Sequence, residues 1–345
     1  MAVFISSTVL SSDGIGFIAL ITIFLTLLKV LTKRGEKFEP NHFEIWLLVY
    51  FMIVVISLAG STLFALSFKG FMKTVTYLGF YISVVHYLKN NRDKLPYLLG
   101  TIGICAAFES ITGILQNFAQ VQEISTWQDV TSLNPEEVMT RVYGTLKPYN
   151  PNLLGGYFVA SIPALFGMAG YFLISKKNIP AIITGVLTLF SVAALFLTGC
   201  RGSYIGCMVI FCGIFAVSAK YLWKNYKNIY LSIVGSVITL AMAAILLVSS
   251  LRARVLSIFA MRQDSSNSFR FNVYQSSFQM AKDNWLLGIG VGNKNFREIY
   301  GLYMKTGFDA LSAYNIFLET AVESGIFALI AFLGFLVVMI KDAVK

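Results

Sequence analysis

Residues 45–68 read IWLLVYFMIVVISLAGSTLFALSF, a run of 24 residues without one charged side chain. A helix needs about 20 mostly apolar residues to cross about 30 Å of hydrocarbon. Eight further apolar runs approach that length, at Gly14–Val30, Thr74–Leu88, Tyr97–Gln116, Leu153–Ile174, Ala181–Cys200, Gly202–Ala219, Ile229–Leu251 and Gly325–Ile340. The sequence therefore predicts an all-α fold: a polytopic integral membrane helix bundle with about nine transmembrane helices, forming a single membrane domain over residues 1–345.

The composition of the chain supports this class. Of its 345 residues, 57% are hydrophobic and 13% are charged, whereas a soluble domain carries about 25% charged residues. This excludes a soluble globular protein, a disordered chain and a nucleic-acid-binding domain. The four cysteines lie in apolar stretches without CxxC spacing, and only two histidines are present. We therefore expect neither a metal site nor a cofactor.

Orientation follows from the basic residues of the short loops, because cytoplasmic loops collect Lys and Arg. Alternate loops place fourteen basic residues on one side: Lys29, Lys33, Arg34, Lys37, Lys89, Arg92, Lys94, Lys176, Lys177, Lys220, Lys224, Lys227, Lys341 and Lys345. The opposite short loops hold five, namely Lys69, Lys73, Arg141, Lys147 and Arg201. The N-terminus is then predicted outside and the C-terminus in the cytoplasm.

Two long polar segments, residues 117–152 and 252–324, fall on the predicted outer side. Loops of this length in a compact protein are usually functional. In the second segment, Phe271, Tyr274 and Phe278 recur at helical spacing between Arg270 and Lys282. This predicts an amphipathic helix along the outer membrane surface.

Two charged residues within apolar surroundings are candidate site residues. Arg201 lies in the string Thr198-Gly199-Cys200-Arg201-Gly202, between two apolar runs that must turn within a few residues. A guanidinium at the mouth of such a hairpin can bind phosphate oxygens bidentately, or it can extend to the lipid head groups. Glu109 is the one acidic residue deep within a predicted span, and it could pair with an arginine, relay a proton or serve packing.

The stretch Gly288-Ile289-Gly290-Val291-Gly292-Asn293 resembles a phosphate-binding loop only superficially, because no buried strand precedes it. Its glycines favour a turn that brings the backbone close to a substrate or to a neighbouring helix.

Taken together, several strings over residues 140–335 resemble the O-antigen ligase and polymerase superfamily of membrane glycosyltransferases. The strings are Arg141-Val142-Tyr143 with Asn150-Pro151-Asn152, Thr198–Gly202, Phe269-Arg270-Phe271, Gly288–Asn293, Ala313–Glu319 and Glu323-Ser324-Gly325. Within that superfamily, residues 150–154 and 311–315 most resemble the branch labelled putative bicarbonate transporters.

The resemblance implies a bacterial inner-membrane enzyme of cell-envelope polysaccharide biosynthesis, of which lipopolysaccharide is one product. Such an enzyme transfers or polymerises a glycan from undecaprenyl pyrophosphate to a saccharide or lipid-linked acceptor on the outer face, by a metal-independent inverting displacement. The expected catalytic residues are Arg201, Arg270, Tyr314 and Glu319. The expected substrate-binding residues are Glu109, Arg141, Asn150, Asn152, Gly290, Gly292 and Asn315.

One position departs from the pattern of the ligases. They carry a histidine, the presumed base, where this chain has Tyr314. A tyrosine with a pKa near 10 is a poor base at neutral pH. Either a carboxylate such as Glu319 or Glu323 takes the proton, or ligase activity is absent.

Two other function classes stay open from the sequence. One is a transporter, or transport accessory, for an inorganic anion such as bicarbonate, which the branch resemblance and Glu109 favour. The absence of a clear inverted repeat argues against it. The other is a non-catalytic scaffold for envelope assembly, which would tolerate substitution of both Arg201 and Arg270.

Overall fold

A computed structural model describes residues 12–32, 40–119, 141–147, 149–256, 258 and 265–344. Within these ranges the chain forms eleven α-helices and no strand. They are α1 Ser12–Leu31, α2 His42–Gly60, α3 Phe64–Asn90, α4 Leu95–Phe118, α5 Pro151–Ile174, α6 Asn178–Leu197, α7 Arg201–Leu247, α8 Ser249–Leu256, α9 Ser265–Asp283, α10 Asn293–Tyr300 and α11 Ile316–Val344. Most of the predicted outer loop 117–152, and the basic residues Lys33, Arg34, Lys37 and Lys345, lie outside the described residues.

The predicted fold class is confirmed as an all-α polytopic helix bundle. Among the residues that the structure describes, seven helical stretches are long and apolar enough to cross a membrane: His42–Gly60, Arg92–Phe118, Pro151–Ile174, Asn178–Leu197, Arg201–Lys220, Tyr230–Leu247 and Ile316–Ala343. The other two predicted runs are also helical. Gly14–Val30 lies on α1, and Thr74–Leu88 lies on α3.

The boundary between the second and third predicted spans differs from the expectation. The sequence placed a loop at Lys69–Lys73, but both lysines lie inside α3 and the chain turns at residues 61–63. Helix α2 ends at Gly60, a residue type that favours helix termini. Charge alone does not break a helix, because lysine is a good helix former.

Helical conformation is assigned along the whole of Arg201–Leu247, yet contacts between its two halves show that the chain reverses direction within this range. In a straight helix, Tyr230 would lie roughly 22 Å beyond Phe215 at the usual rise per residue. Instead, the Tyr230 hydroxyl donates a hydrogen bond to the Phe215 carbonyl oxygen at 2.8 Å. Ile245 also packs against the cluster that contains Tyr204 and Cys207. The reversal lies between Phe215 and Tyr230, where the sequence predicted the loop of Lys220, Lys224 and Lys227.

The chain divides into two compact units, each made from separate stretches of sequence. The first unit contains the described residues within 1–18 and 91–261, and the second contains those within 19–90 and 262–345. In the first unit, α5 packs against α4, α6 and α7 around buried Leu154, Phe158 and Ile162. In the second, α11 packs against α2 and α9, with Val273, Phe296 and Tyr300 in the core.

The predicted amphipathic helix exists as α9, and its contact with the unit is made by a face other than the aromatic one. Its position along the outer membrane surface stays a prediction. Val273 and Met280 are fully buried and Ser277 lies between them. Phe271 and Phe278 are 37% and 65% exposed. The aromatic spacing therefore located the helix correctly, and the residues offset by two or three positions form its contact with the unit.

Candidate functional site

In the first unit, Arg141 is held between the start of one helix and the end of another. Its Nε donates to the Thr198 carbonyl oxygen at 2.9 Å, and its Nη2 donates to Asn152 Oδ1 at 2.8 Å. The side chain is 9% exposed. The next residue continues the contact, because the Val142 N–H bonds the Leu197 carbonyl at 3.2 Å. These bonds fix the plane of the guanidinium against the C-terminus of α6 and the N-terminus of α5.

The string Asn150-Pro151-Asn152 begins helix α5. The Asn150 side chain accepts a hydrogen bond from the Asn152 N–H at 2.8 Å, as a helix cap does. Pro151 occupies the first helical position, where its missing N–H costs nothing. Asn150 thus caps the helix, while Asn152 presents its side-chain oxygen to Arg141.

Arg201 is the first residue of α7, and it follows a tight turn. Gly199 has φ +62, and a Cβ at this position would lie 3.1 Å from Arg141 Nε. The Thr198 hydroxyl oxygen accepts the Cys200 N–H at 3.2 Å and so closes the turn. The predicted tight turn between the two apolar runs is therefore present.

The N-termini of α5 and α7 adjoin. A Cβ on Gly155 of α5 would lie 2.5 Å from Ser203 Oγ and 3.0 Å from Cys200 Cβ, so the absence of a side chain at Gly155 allows the two helices to approach closely. Helix N-termini carry partial positive charge and unsatisfied N–H groups. Together with Arg141 and Arg201, they create an end of the first unit that is suited to an anion.

Glu109 also lies in the first unit, and both of its carboxylate oxygens contact Thr145. Oε2 accepts the Thr145 N–H at 2.9 Å, and Oε1 accepts the Thr145 hydroxyl. The side chain is fully buried, at 0% exposure. Gln116, two helical turns further along α4, binds the same short segment through Tyr143 and Gly144. The sequence reading did not identify Gln116 or Thr145, because their partners are distant in sequence.

In the second unit, the glycine-rich stretch 288–292 packs against a break in α11. The backbone of Gly325 is not helical, with φ +81, although α11 continues on both sides. The Ile289 and Gly290 N–H groups donate to the carbonyls of Val322 and Glu323 at 2.9 and 2.8 Å. On the other side of the break, the Ile326 N–H donates to the Trp285 carbonyl at 2.8 Å. The loop thus satisfies backbone groups that the broken helix leaves open.

Gly290 and Gly292, which were expected to bind substrate, are in close contact with protein atoms. A Cβ on Gly290 would lie 2.4 Å from Ser67 Oγ, and one on Gly292 would lie 3.0 Å from the Gly70 Cα. The Gly292 N–H donates to Glu323 Oε1 at 2.9 Å. The structure thus shows the approach to a neighbouring helix, and substrate binding by these two glycines stays a prediction.

The remaining candidate residues cluster at the start of α11. The Tyr314 ring packs edge to face against Phe269, with 5.9 Å between centroids, and its carbonyl accepts the Tyr274 hydroxyl at 3.3 Å. Asn315 caps α11, because its Oδ1 accepts the N–H of Phe317 at 3.0 Å. Glu319, one turn further along, is partly buried.

The charges of this cluster act on the Tyr314 phenol. Burial, the largest effect, raises the pKa of Tyr314 above its ordinary value of 10.0, while the nearby positive charge of Arg270 opposes the rise. Glu319 adds a smaller upward effect on the same pKa. Arg270, Tyr314 and Glu319 therefore share one environment, in which the phenol stays protonated at neutral pH.

The predicted site residues are thus divided between the two units. The first unit brings together Arg141, Asn150, Asn152 and Arg201, and Glu109 of α4 binds the short segment that follows Arg141. The second unit brings together Arg270, Tyr314, Asn315 and Glu319, with Gly290 and Gly292 on the loop that contacts Glu323. The joint action of Arg201 and Arg270 stays a prediction.

The fold and these clusters define a polytopic α-helical protein with Arg201 at the start of α7, Arg141 bound between two helix ends, and Arg270 within α9. A family model described as O-antigen ligase matches residues 186–333. This match spans Arg201, Arg270, Tyr314 and Glu319, and begins after Arg141, Asn150 and Asn152. No curated protein and no solved structure matches the chain.

Proposed function

We propose that the protein is a membrane glycosyltransferase of the O-antigen ligase and polymerase type. The observation that carries the proposal is the family match over residues 186–333, because it includes both the Arg201 turn and the cluster of Arg270, Tyr314 and Glu319. The all-α polytopic bundle is consistent with a lipid-linked substrate. The comparisons give no support to an anion transporter.

The proposed donor is a glycan on undecaprenyl pyrophosphate, used at the outer face of a bacterial inner membrane. Support for this face comes from the excess of Lys and Arg in the loops that would be cytoplasmic. The acceptor is a saccharide or lipid-linked hydroxyl.

Arg201 and Arg270 are proposed to bind the pyrophosphate. Guanidinium groups bind phosphate oxygens through two parallel hydrogen bonds, and Arg201 stands at the N-terminus of α7, where the helix dipole adds to its charge. As the bond between the sugar C1 and the phosphate oxygen breaks, negative charge grows on the leaving pyrophosphate. Fixed cations at that position stabilise the transition state more than the ground state.

Glu319 is proposed as the base. The acceptor oxygen attacks C1 from the face opposite the pyrophosphate, which inverts the anomeric centre, and its proton passes to a Glu319 oxygen. Tyr314 is a poor alternative because burial raises its pKa. Glu323 is less suitable because its Oε1 accepts the Gly292 N–H and so serves the loop.

Mass spectrometry of lipid-linked saccharides tests the proposal in cells that lack the protein. The cells are complemented with the intact chain, with Arg270→Ala or with Lys305→Ala. Lys305 is a matched cationic control, because its Nζ bonds Asn272 and Gln275 on the exposed surface. We expect an oligosaccharide intermediate to accumulate unless the intact chain or Lys305→Ala is present. An unchanged lipid pool in every strain would refute glycosyl transfer, and full output from well-inserted Arg270→Ala would refute the role of Arg270.

A further inference from the structure

Two side chains of α4 bind one short turn that follows Arg141 in the chain. Glu109 and Gln116 are seven residues apart, which places them on the same face of the helix, two turns from each other. Both reach the backbone of residues 143–145 in the first unit. This is an unusual use of an acidic residue in a membrane-spanning stretch, where a charge is costly and tends to mark function.

The contacts satisfy most polar groups of the turn. Gln116 Oε1 accepts the N–H groups of Tyr143 and Gly144 at 3.1 and 2.9 Å, and its Nε2 donates to the Gly144 carbonyl at 3.0 Å. Glu109 accepts both the N–H and the hydroxyl of Thr145. The N–H groups of the three consecutive residues 143–145 therefore all donate hydrogen bonds to side chains of α4.

Gly144 makes the close approach possible. It has φ +66, in the left-handed region that glycine adopts at little cost. A Cβ here would lie 2.4 Å from Glu109 Oε2 and 3.0 Å from a Leu154 methyl carbon. Gly144 is thus packed closely between the Glu109 carboxyl group and Leu154 near the start of α5.

We propose that Glu109 and Gln116 are positioning residues for Arg141, and that Glu109 carries no proton in the reaction. The inference rests on the proposed function. Arg141 is bound at its guanidinium by Thr198 and Asn152, and two residues later its backbone is tied to α4. Fixing both the head and the backbone pre-organises this cation for an anionic substrate, and so reduces the ordering cost of binding.

The test uses the full chain in proteoliposomes with a pyrophosphate-linked glycan donor. In Glu109→Gln, the side chain keeps an acceptor for the Thr145 N–H and a donor for its hydroxyl, but it cannot carry a proton. In Glu109→Leu, the volume is similar and both bonds are lost. We expect Glu109→Gln to keep kcat/KM within about threefold, and Glu109→Leu to lose about tenfold or more, because both hydrogen bonds to Thr145 are lost and its partly buried donors are left unsatisfied.

Amide hydrogen exchange at single residues gives a readout that does not depend on activity. Glu109→Leu should accelerate exchange at Thr145 by about tenfold or more. Gln116→Met should accelerate exchange at Tyr143 and Gly144 instead, and it serves as the second variant if Glu109→Leu does not fold. Asn117→Ala is the control, because this neighbouring amide side chain makes no hydrogen bond to residues 143–145.

Two results would overturn the inference. If Glu109→Gln loses transfer as fully as Glu109→Leu while residues 143–145 stay protected, Glu109 is a proton carrier. If both Glu109→Leu and Gln116→Met keep full activity and keep residues 143–145 protected from exchange, these contacts do not position Arg141. A wild-type chain that transfers no glycan would refute the proposed function, and the exchange pattern would then still report on the anchor itself.

Discussion

Substitution of Gly288 by alanine tests whether the glycine-rich loop and the break in α11 form one unit. A Cβ on Gly288 would lie 2.4 Å from the Glu323 carbonyl carbon and 2.5 Å from the Ser324 nitrogen. These are backbone atoms of α11, and they cannot rotate away as a flexible side chain would. The residue also has φ +69, so alanine meets both a steric and a conformational penalty.

The chain offers a control that separates the two penalties. Gly307 has φ +86, but a Cβ there would meet nothing within 4 Å. Left-handed backbone costs a non-glycine residue about 1–2 kcal/mol, and overpacking adds about 1–3 kcal/mol. We therefore expect Gly307→Ala to lower the free energy of unfolding by about 1–2 kcal/mol, and Gly288→Ala by about 2–5 kcal/mol.

Thermal unfolding of the full chain in detergent measures this difference. Gly288→Ala should melt several degrees below Gly307→Ala, at about 2 °C per kcal/mol for a chain of this size. Equal melting temperatures for the two variants would refute the close contact between the loop and the broken helix.

Three further changes have defined outcomes. Gly185→Ala, in the interior of α6 with nothing within 4 Å of its Cβ, should raise the free energy of unfolding by about 0.5–1 kcal/mol; a lower melting temperature would show that the site is not open. Asn152→Ala should lower the free energy of unfolding by about 1.5–3 kcal/mol because the Arg141 guanidinium loses a hydrogen-bond acceptor. Asn152→Asp keeps an oxygen at that position and should have a free energy of unfolding close to that of the wild type. Equal losses in the two variants would argue against this hydrogen bond. Burial raises the pKa of Tyr314, so the phenol stays protonated between pH 7 and 9. Tyr314→Phe should therefore show the wild-type pH dependence of kcat over this range. A change in kcat between pH 7 and 9 that is present in the wild type and lost in Tyr314→Phe would contradict this.

The sequence predicted the helices well because apolar length is a local property. It also placed the start of the last apolar run at Gly325, where the structure breaks α11. Periodicity was less informative for α9, because aromatic residues next to a membrane can face outward while Val273 and Met280 form the buried face. Similarly, Lys69 and Lys73 indicated a loop, yet an exposed lysine is compatible with a continuous helix.

The sequence indicated which residues were candidates for the site, but it did not predict their hydrogen-bond partners. Arg201 stood out because it separates two apolar runs, and its neighbouring glycines predicted the tight turn there. The bonds of Arg141 to Thr198, and of Glu109 to Thr145, join residues 57 and 36 positions apart. No local pattern encodes such pairs, because they depend on how α4, α5 and α6 pack.

Pyrophosphate binding by Arg201 and Arg270 during glycan transfer can be measured in proteoliposomes that contain a pyrophosphate-linked glycan donor and an acceptor. Transfer and radiolabelled bicarbonate uptake are measured on the same vesicles. The wild-type chain should transfer glycan without uptake above empty vesicles, and Arg201→Lys and Arg270→Lys should each lose about 10-fold or more, because lysine cannot bind phosphate bidentately. Bicarbonate uptake without transfer, or lysine variants as active as wild type, would contradict the account.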